Sequence, residues 1–322
     1  MDTLLQTGNL DAETANISKE LFKIVPGIDK AGTVPVLDAD TLTEKEFRKN
    51  WVSKNRPALI KGAVKHWPAV EKWRDKNYWI QNIENYDVKV YPHMNYNLPK
   101  YHDVGMEKMK FHDAVERLHE NRDFIFSIPS SKITPKNRFA GLIKDLPPFK
   151  FFQNPELPRV YHNRRFFMYR RAATAWHYHD IDETLMCQVN GAKRIAILPP
   201  DLPDTPYLIK FFNDELHYEG AKLDESVNLR PAIVDVMEGD ALYIPPYWHH
   251  GVAPIDGDIG FTLAYCFRSP WHIIGDKSNY YVRDLYKRKV WPIKKPAPVY
   301  SLISMYAGLN HYMRKLSGGA AN

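Results

Sequence analysis

Short apolar segments separated by turns dominate the sequence from residue 159 to residue 270. They occupy residues 165–169, 184–189, 194–198, 232–236, 241–244 and 261–267. Segments of this length, bounded by turn residues, have the pattern of short strands. Many such strands with regular turns are typical of a β-sandwich or a β-barrel. The sequence therefore predicts a mainly β core over residues 159–270, with residues 200–230 as a longer insertion between strands.

Helices are predicted on both sides of this core, over residues 11–22, 41–52, 111–119, 279–289 and 299–316. Their apolar residues recur at helical spacing, and Thr41 or Thr43 is a suitable start for the second of them. We therefore divide the chain into three parts. Residues 1–33 are an N-terminal extension, residues 34–270 form one domain with an α/β elaboration before its β core, and residues 271–322 are a C-terminal helical segment.

Charge and cysteine content narrow the class of protein. The chain has 322 residues, a net charge of +6 and two cysteines, which excludes a disulfide framework or a cysteine zinc site. A reducing, cytoplasmic location fits this cysteine usage. We find no signal peptide and no apolar stretch long enough to span a membrane. The small positive surplus suits a mixed surface, with acidic partners as the alternative.

Two groups of histidines carry the candidate chemistry. His177, His179 and Asp180 follow one predicted strand, and His249 and His250 precede another. Alternate side chains of a strand share a face, so His177 and His179 are expected to point the same way, with His250 brought alongside. Two imidazoles and one carboxylate, with open positions opposite, form the facial triad of iron(II) oxygenases.

The surroundings of these residues resemble a known family. Residues 238–252, EGDALYIPPYWHHGV, resemble the second metal motif of JmjC and cupin-like 2-oxoglutarate oxygenases, and the family ligand maps to His250. Residues 188–194, QVNGAKR, resemble the segment in which the family lysine pairs with 2-oxoglutarate, and it maps to Lys193. Residues 56–62, RPALIKG, resemble the opening segment. The similarity covers roughly residues 34–270 and is greatest to the branch of asparaginyl and tRNA wybutosine hydroxylases.

The first metal motif departs from the family pattern. That pattern is T-x-x-H-x-D, and Thr174 places its histidine at His177. Counting back from Gln188 places the aspartate at Asp180, so this chain has one extra residue inside the motif. A bulge would let Asp180 face the metal. Regular alternation instead brings His179 there, which needs no distortion. Both remain candidates for the third ligand beside His177 and His250, and the undistorted strand favours His179.

The resemblance implies a double-stranded β-helix (a jelly roll, or cupin) with flanking helices. It also implies an Fe(II) enzyme that uses 2-oxoglutarate as co-substrate and O₂ to hydroxylate a C–H bond. Lys193 would anchor the co-substrate, since lysine is a point charge for a carboxylate. Thr174, Thr184 and Tyr169 are further candidate contacts, although relatives often have asparagine at the position of Thr184. Asp182 and Glu183 are candidates for a second metal site, against the alternative of an acidic turn.

The substrate class is less defined by the sequence. We favour a protein or peptide side chain or a small molecule over a nucleic acid, because no RNA-binding motif is present. There are two alternatives to a 2-oxoglutarate hydroxylase. The extra residue suggests a three-histidine dioxygenase that does not use 2-oxoglutarate, and a non-catalytic metal- or ligand-binding cupin is a hypothesis from a different class. The resemblance also implies a homodimer through the C-terminal helices, which have apolar faces.

Overall fold

The protein is described by a computed structural model. The structure describes residues 19, 21–91, 106–120, 126–202, 204–212, 223–227, 229–255, 257–290 and 297–317. Most of the helix predicted over residues 11–22 lies outside these ranges, as do parts of the insertion predicted over residues 200–230.

Strands make up the centre of the molecule. In chain order they are β1 (Val36–Asp38), β2 (Ala58–Lys61), β3 (Asp87–Val90), β4 (Glu107–Lys110), β5 (Phe126–Lys132), β6 (Arg164–Arg170), β7 (Thr174–His177), β8 (Asp182–Asn190), β9 (Lys193–Leu198), β10 (Ala232–Val236), β11 (Ala241–Ile244), β12 (His249–Pro254) and β13 (Ile259–Arg268). One sheet has the order β1-β2-β11-β8-β13-β6-β5, a second has the order β10-β9-β12-β7, and β3 pairs with β4. Apart from the parallel β1–β2 pair, all of these pairings are antiparallel.

The two larger sheets face each other across an apolar interior. Met186 and Leu242 from the seven-stranded sheet pack against Ile195, Ile197 and Val252 from the four-stranded sheet. Burial of these branched side chains from both inner faces is what holds two sheets together. The mainly β jelly-roll fold with flanking helices, expected from the sequence, is confirmed. All six strand segments predicted from the apolar runs are present, with bounds shifted by at most two residues.

Helices cover the outside of the sheets. They are α1 (Glu44–Glu46), α2 (Pro68–Lys72), α3 (Lys76–Asn82), α4 (Phe111–Glu120), α5 (Thr205–Lys210), α6 (Trp271–Ile274), α7 (Tyr280–Val290) and α8 (Ala297–Leu316), with 3₁₀ turns at Ile28–Lys30, Val52–Lys54 and Ala140–Asp145 and a π turn at Phe47–Trp51. The outer face of the seven-stranded sheet is packed with aromatic rings; Trp79 stacks on Phe261 with centroids 5.4 Å apart. Within the described ranges, no helix is both long and apolar enough to cross a bilayer.

The helix predicted over residues 41–52 is shorter and less regular than expected. Thr43 begins it with a capping box, in which its hydroxyl accepts from the Glu46 amide while the Glu46 carboxylate accepts from the Thr43 amide. The α-helical part ends at Glu46 and continues as a π turn to Trp51. This change of hydrogen-bonding pattern places the Phe47 ring in the aromatic core, within 5.1 Å of the Tyr243 ring.

Candidate metal centre

Two of the predicted ligands lie on neighbouring strands. His177 ends β7 and pairs with His250 on β12, and their ring centroids are 4.2 Å apart. The pairing shifts register between His250 and Val252, so that β7 has two residues opposite Gly251. The ring of Trp176, which lies in this bulge, passes over Gly251; a Cβ at that position would be 3.0 Å from the ring. Gly251 therefore allows the close approach of the two strands that bear the histidines.

His179 lies beside these two histidines, on the loop that connects β7 with β8. β7 ends at His177, so the expected strand alternation between His177 and His179 is wrong. The backbone carbonyl of His179 accepts a 2.8 Å hydrogen bond from the Tyr247 amide. The turn closes through Ile181, which has a φ of 67°, a left-handed conformation that a β-branched residue adopts only at a cost. The loop thus delivers His179 to the ends of β7 and β12, with its ring 5.0 Å from that of His250.

The three imidazoles form a donor set that suits a metal ion. One ring nitrogen from each of His177, His179 and His250 lies within 4.8 Å of the others. Nδ1 of His177 contacts the Ala175 carbonyl at 2.8 Å, and Nδ1 of His250 contacts the Trp248 carbonyl at 2.9 Å. A carbonyl can only accept, so both Nδ1 atoms carry the proton, and each Nε2 has a free lone pair. Such contacts fix the tautomer of metal-binding histidines.

Thr184 provides the corresponding contact for His179. Its hydroxyl, on β8, lies 2.9 Å from Nδ1 of His179 and 3.7 Å from the sulfur of Cys266. A hydroxyl that accepts from Nδ1 can donate to the sulfur, which completes a chain from ring to thiol. Thr184 was expected near the co-substrate, and its observed contact is with the candidate ligand. All three Nε2 atoms are therefore available at the same time.

Burial keeps these rings neutral. His250 is 2% exposed, while His177 and His179 are partly exposed. Burial lowers the pKa of all three, and the mutual repulsion of the rings lowers the pKa of His179 and of His250 further. Neutral imidazole is the form that binds metals, so the site is prepared for a cation. The adjacent His249 faces away and contacts the Tyr281 hydroxyl at 2.7 Å.

Asp180, the alternative third ligand, lies outside the group of three histidines. The Tyr161 hydroxyl donates to its Oδ1 at 3.0 Å. Burial is the main cause of the raised pKa of Tyr247 and of Tyr286, and the negative charge of Asp180 raises both further. These tyrosines belong to the cluster beneath the C-terminal helices. The carboxylate therefore faces the helices in this structure, and the histidine occupies the position beside His177 and His250.

A buried lysine lies deeper between the sheets. Lys193 starts β9 and is 5% exposed, and its ammonium lies 3.7 Å from the centre of the Tyr169 ring. Burial alone lowers its pKa to about 7, with no contribution from a neighbouring charge. On β12, His250 pairs with Ile197. Four residues of extended strand separate Ile197 from Lys193, about 13 Å at ~3.3 Å per residue, and both side chains share one face. Lys193 therefore lies in the same space between the two sheets as the three histidines.

The other predicted contacts are distributed around this interior. Tyr169 is 3% exposed, and its hydroxyl contacts Thr262 at 3.1 Å and the Gln188 amide at 2.7 Å. Thr174 pairs with Val252 at the start of β7. The structure thus brings Lys193 and Tyr169 together, although they are distant in sequence, while Thr174 and Thr184 lie on different sheets.

The acidic pair Asp182 and Glu183 has other partners. Asp182 accepts hydrogen bonds from the backbone amides of residues 159–161, at 2.8, 2.7 and 3.1 Å. Glu183 accepts a 2.7 Å hydrogen bond from the Tyr243 hydroxyl, and burial raises its pKa to about 8. Among the described residues, the three histidines are the only group of three or more potential ligands gathered this closely.

Two residues beside the candidate site are not among those predicted from the sequence. The first is Tyr161, whose hydroxyl donates to Asp180. The second is Arg165. Its alternation with Phe167 and Tyr169 on one strand was the available signal that its side chain faces inward.

The chain is similar in sequence to several known proteins. It is 28% identical over 238 residues to Jumonji C domain-containing protein 5 of Drosophila melanogaster, covering 68% of this chain and 56% of that protein. It is 24% identical over 269 residues to the human bifunctional peptidase and (3S)-lysyl hydroxylase JMJD7, covering 72% and 84%. It is 26% identical over 218 residues to tRNA wybutosine-synthesizing protein 4 of Emericella nidulans, covering 63% and 20%.

The sequence model of one family matches most of the chain. The match runs from residue 44 to residue 271, which includes the strands that bear His177 and His250 and the loop that bears His179. It also includes Lys193, Tyr169 and both inner faces of the facing sheets. The chain belongs to the family of the cupin-like domain.

Proposed function

We propose that this protein is a non-haem Fe(II) and 2-oxoglutarate-dependent oxygenase that hydroxylates a C–H bond. The observation that carries the proposal is the convergence of three neutral imidazoles, each with Nδ1 turned to a hydrogen-bond acceptor and Nε2 free. Imidazole ligands suit iron and other first-row metals, and three ligands on one side leave positions for small molecules. Several relatives have names that include hydroxylase or demethylase, which supports an oxygenase.

The side chains have separate roles in this proposal. His177, His179 and His250 hold the metal, and Thr184 orients His179. Lys193 pairs with the distal carboxylate of 2-oxoglutarate, and the network of Tyr169, Thr262 and Gln188 fixes the ring beside it. When bound, iron with its co-substrate and O₂ supplies the oxidising chemistry. The protein positions the reactants and excludes water through the apolar walls between the sheets.

We propose a protein or peptide side chain, or a small molecule, as the substrate. The human relative is named as a lysyl hydroxylase, and two nematode relatives are named as arginine demethylases and lysyl hydroxylases. A fungal relative is named for tRNA wybutosine synthesis. The net charge of +6 over 322 residues is small for an RNA-binding surface, so we do not favour a nucleic acid.

The proposal is tested by anaerobic reconstitution with Fe(II) and 2-oxoglutarate. Chelation of the iron by the co-substrate gives a metal-to-ligand charge-transfer band in the visible range, which we expect for the wild type. Lys193→Met should require a higher 2-oxoglutarate concentration for the same band, whereas Lys193→Arg should retain it in part. A protein that binds Fe(II) but develops no band with 2-oxoglutarate contradicts the use of this co-substrate.

A three-histidine dioxygenase that does not use 2-oxoglutarate is the second candidate. It is favoured by the position of His179, because replacing a carboxylate by a neutral ligand leaves the metal with less compensating negative charge. The two candidates differ in stoichiometry: the first consumes 2-oxoglutarate and releases succinate, and the second consumes O₂ without it. A cupin that binds metal and consumes neither is the non-catalytic alternative.

We propose that the protein forms a homodimer through the outward face of α8. One side of this helix is buried against α6 and α7 through Tyr300, Ile303 and Ala307. The opposite side exposes a row of large apolar side chains: Val299, Leu302, Met305, Tyr306, Leu309, Tyr312, Met313 and Leu316. Contiguous exposed apolar surface is typical of an interface. Leu302→Glu with Leu309→Glu should convert a dimer to a monomer in light scattering; a wild-type monomer contradicts this proposal.

We also propose a reducing, cytoplasmic location. Cys187 and Cys266 are both free and buried, and burial raises the pKa of each thiol. Buried, protonated thiols are protected from oxidation. Free cysteines are typical of proteins in a reducing compartment. Imaging of the tagged protein tests the location.

A further inference from the structure

Arg165 faces the interior between the two sheets. On β6 it pairs with Ala264 of β13, and Ala264 pairs in turn with Met186 of β8. The next inward-facing row on the same sheet contains Cys266 and Thr184, and Thr184 contacts the candidate ligand His179. Residues directly opposite each other in antiparallel strands share a face. The guanidinium therefore belongs to the same interior as the three histidines, at the end where they converge.

The electrostatic influence of Arg165 agrees with this placement. Burial is the largest cause of the lowered pKa of His177 and of His179, and the positive charge of Arg165 lowers both further. Burial raises the pKa of the Cys266 thiol, and the charge of Arg165 opposes that rise. The guanidinium also lies 5.5 Å from the centre of the ring of Tyr161, the residue whose hydroxyl donates to Asp180. A single cation thus acts on three groups around the candidate metal.

Arg165 is partly buried and, among the described residues, lacks the carboxylate and carbonyl partners of the buried Arg170 and Arg194. Arg194 forms a salt bridge to Asp235 at 2.7 Å, and Arg170 donates to the Leu118 and Gly257 carbonyls. The Nε atom of Arg165 is buried without a hydrogen-bond acceptor, and the guanidinium contacts the Cys266 thiol. No carboxylate among the described residues lies within 4.0 Å of it. Guanidinium groups bind carboxylates through two parallel hydrogen bonds. A guanidinium that faces a site and has only a thiol as partner, with no carboxylate beside it, is arranged for an anionic ligand.

The net charge of the site also favours an anionic ligand. With three neutral imidazoles as ligands, a divalent metal ion and a dianionic co-substrate cancel each other. The site then keeps the positive charge of Arg165, together with that of Lys193 when this side chain is protonated; a carboxylate ligand in place of His179 would have lowered this net charge. Burying an uncompensated charge is costly, so the complete complex favours a further anion. This anion would bind to the one of the two cations that the co-substrate does not contact.

The two cations are anchored at different ends of the interior. Lys193 contacts Tyr169, which lies four residues along β6 from Arg165. That separation is about 13 Å at ~3.3 Å per residue of extended strand, with both side chains on one face. Lys193 therefore serves the far end of the interior, and Arg165 serves the end with the histidines.

We propose that Arg165 binds a carboxylate of the primary substrate, so that the enzyme acts on an anionic molecule held by this group beside the metal. The inference rests on the proposed function, because it assigns the co-substrate to Lys193. Arg165 would set the substrate class and its orientation, since a planar guanidinium fixes both the position and the plane of a carboxylate.

The test measures binding, so that it does not depend on turnover. Protein loaded with Mn(II) and saturated with N-oxalylglycine, an unreactive analogue of 2-oxoglutarate, is titrated calorimetrically with benzoate and benzamide, and with butyrate and butyramide. Within each pair the shape is shared and only the charge differs. The wild type should bind the carboxylate about tenfold or more tightly than the amide, as expected for hydrogen bonds to a charged partner.

The variants separate Arg165 from its neighbours. Arg165→Gln should abolish the preference without weakening the binding of Mn(II) or N-oxalylglycine, while Arg165→Lys should keep the preference at reduced strength. Arg164→Gln is the matched control. Arg164 precedes Arg165 on the same strand, faces the other way and lies over the Tyr265 ring, so its loss should change nothing.

Three results overturn the inference. The first is the absence of a preference in both pairs in the wild type, and the second is a preference that survives in Arg165→Gln. The third is loss of N-oxalylglycine binding in Arg165→Gln, which would assign this residue to the co-substrate instead. Failure of the wild type to bind Mn(II) or N-oxalylglycine contradicts the proposed function itself, and the inference with it. That failure is recognised in the first titration, before any carboxylate is added.

Discussion

The Tyr161 hydroxyl donates a hydrogen bond to Oδ1 of Asp180 over 3.0 Å. This contact turns the carboxylate of the HxHD stretch toward the C-terminal helices, while His179, one residue earlier, joins His177 and His250. The loop is held on its other side by the Tyr247 amide, which donates to the His179 carbonyl. The extra residue in the motif is therefore accommodated by a turn after β7, and the turn decides which side chain faces the other histidines.

Thr184→Val is predicted to weaken metal binding. The hydroxyl of Thr184 fixes the tautomer and orientation of His179, and loss of such a supporting contact typically costs roughly tenfold to a hundredfold in metal affinity. Thr184→Ser, which keeps the hydroxyl, should remain close to the wild type. Competition titration with a metal-binding dye measures the difference. Equal affinities for the valine and serine variants would show that this hydroxyl does not support a ligand.

Co-substrate affinity is predicted to fall as pH rises above about 7. Burial lowers the pKa of Lys193 to about 7, so the side chain is charged below this pH and increasingly neutral above it. Binding a dianion requires the ammonium, and above its pKa each binding event takes up a proton. The dissociation constant should then rise by up to about tenfold per pH unit. Calorimetry with Mn(II) and N-oxalylglycine from about pH 6 to about pH 9 measures this slope.

Lys193→Arg supplies the control for this pH dependence. A guanidinium stays charged over the whole range, so the variant should bind with little slope even if its affinity is lower. The same slope in Lys193→Arg and in the wild type would attribute the pH dependence to another group.

Glu183→Gln is predicted to flatten the pH dependence of stability. Burial raises the pKa of Glu183 from 4.5 to about 8, so the folded protein holds this proton more tightly than the unfolded chain. Stability from this group is full below the unfolded pKa and is lost as pH rises toward about 8, by up to ~1.4 kcal/mol per pH unit. Glutamine cannot ionise and still accepts from the Tyr243 hydroxyl. Urea unfolding of both proteins between about pH 5 and about pH 8 measures the free energy of unfolding. The variant should become more stable relative to the wild type as pH rises. The same pH dependence in both proteins would contradict the assignment.

Much of the β core was predictable because its signals are local. The segments at 232–236 and 241–244 are apolar runs of strand length, and they coincide with β10 and β11. His177, His250 and Lys193 were located by counting from the surrounding motifs, and the structure places all three side chains around one interior. The division of the chain at residues 33 and 270 and the ligand set itself stay predictions.

The choice between His179 and Asp180 as third ligand depended on tertiary contacts that the sequence pattern does not reveal. Strand alternation assumed that β7 continues past His177, but the chain leaves the sheet there to cross to β8. What fixes His179 is a hydroxyl on β8 and a backbone amide before β12, and both contacts are made only when the sheets face each other. Arg165 was missed for a similar reason, because its surroundings, a thiol and no carboxylate, are a property of the assembled interior.

The central claim is that three histidines hold the metal and that Asp180 does not. Its most direct test is the iron content of His179→Ala and Asp180→Asn after anaerobic loading with Fe(II), measured beside His250→Ala and the wild type. We predict that His179→Ala and His250→Ala lose most of the iron, while Asp180→Asn retains a wild-type stoichiometry. Retention of iron by His179→Ala together with its loss from Asp180→Asn would contradict the account.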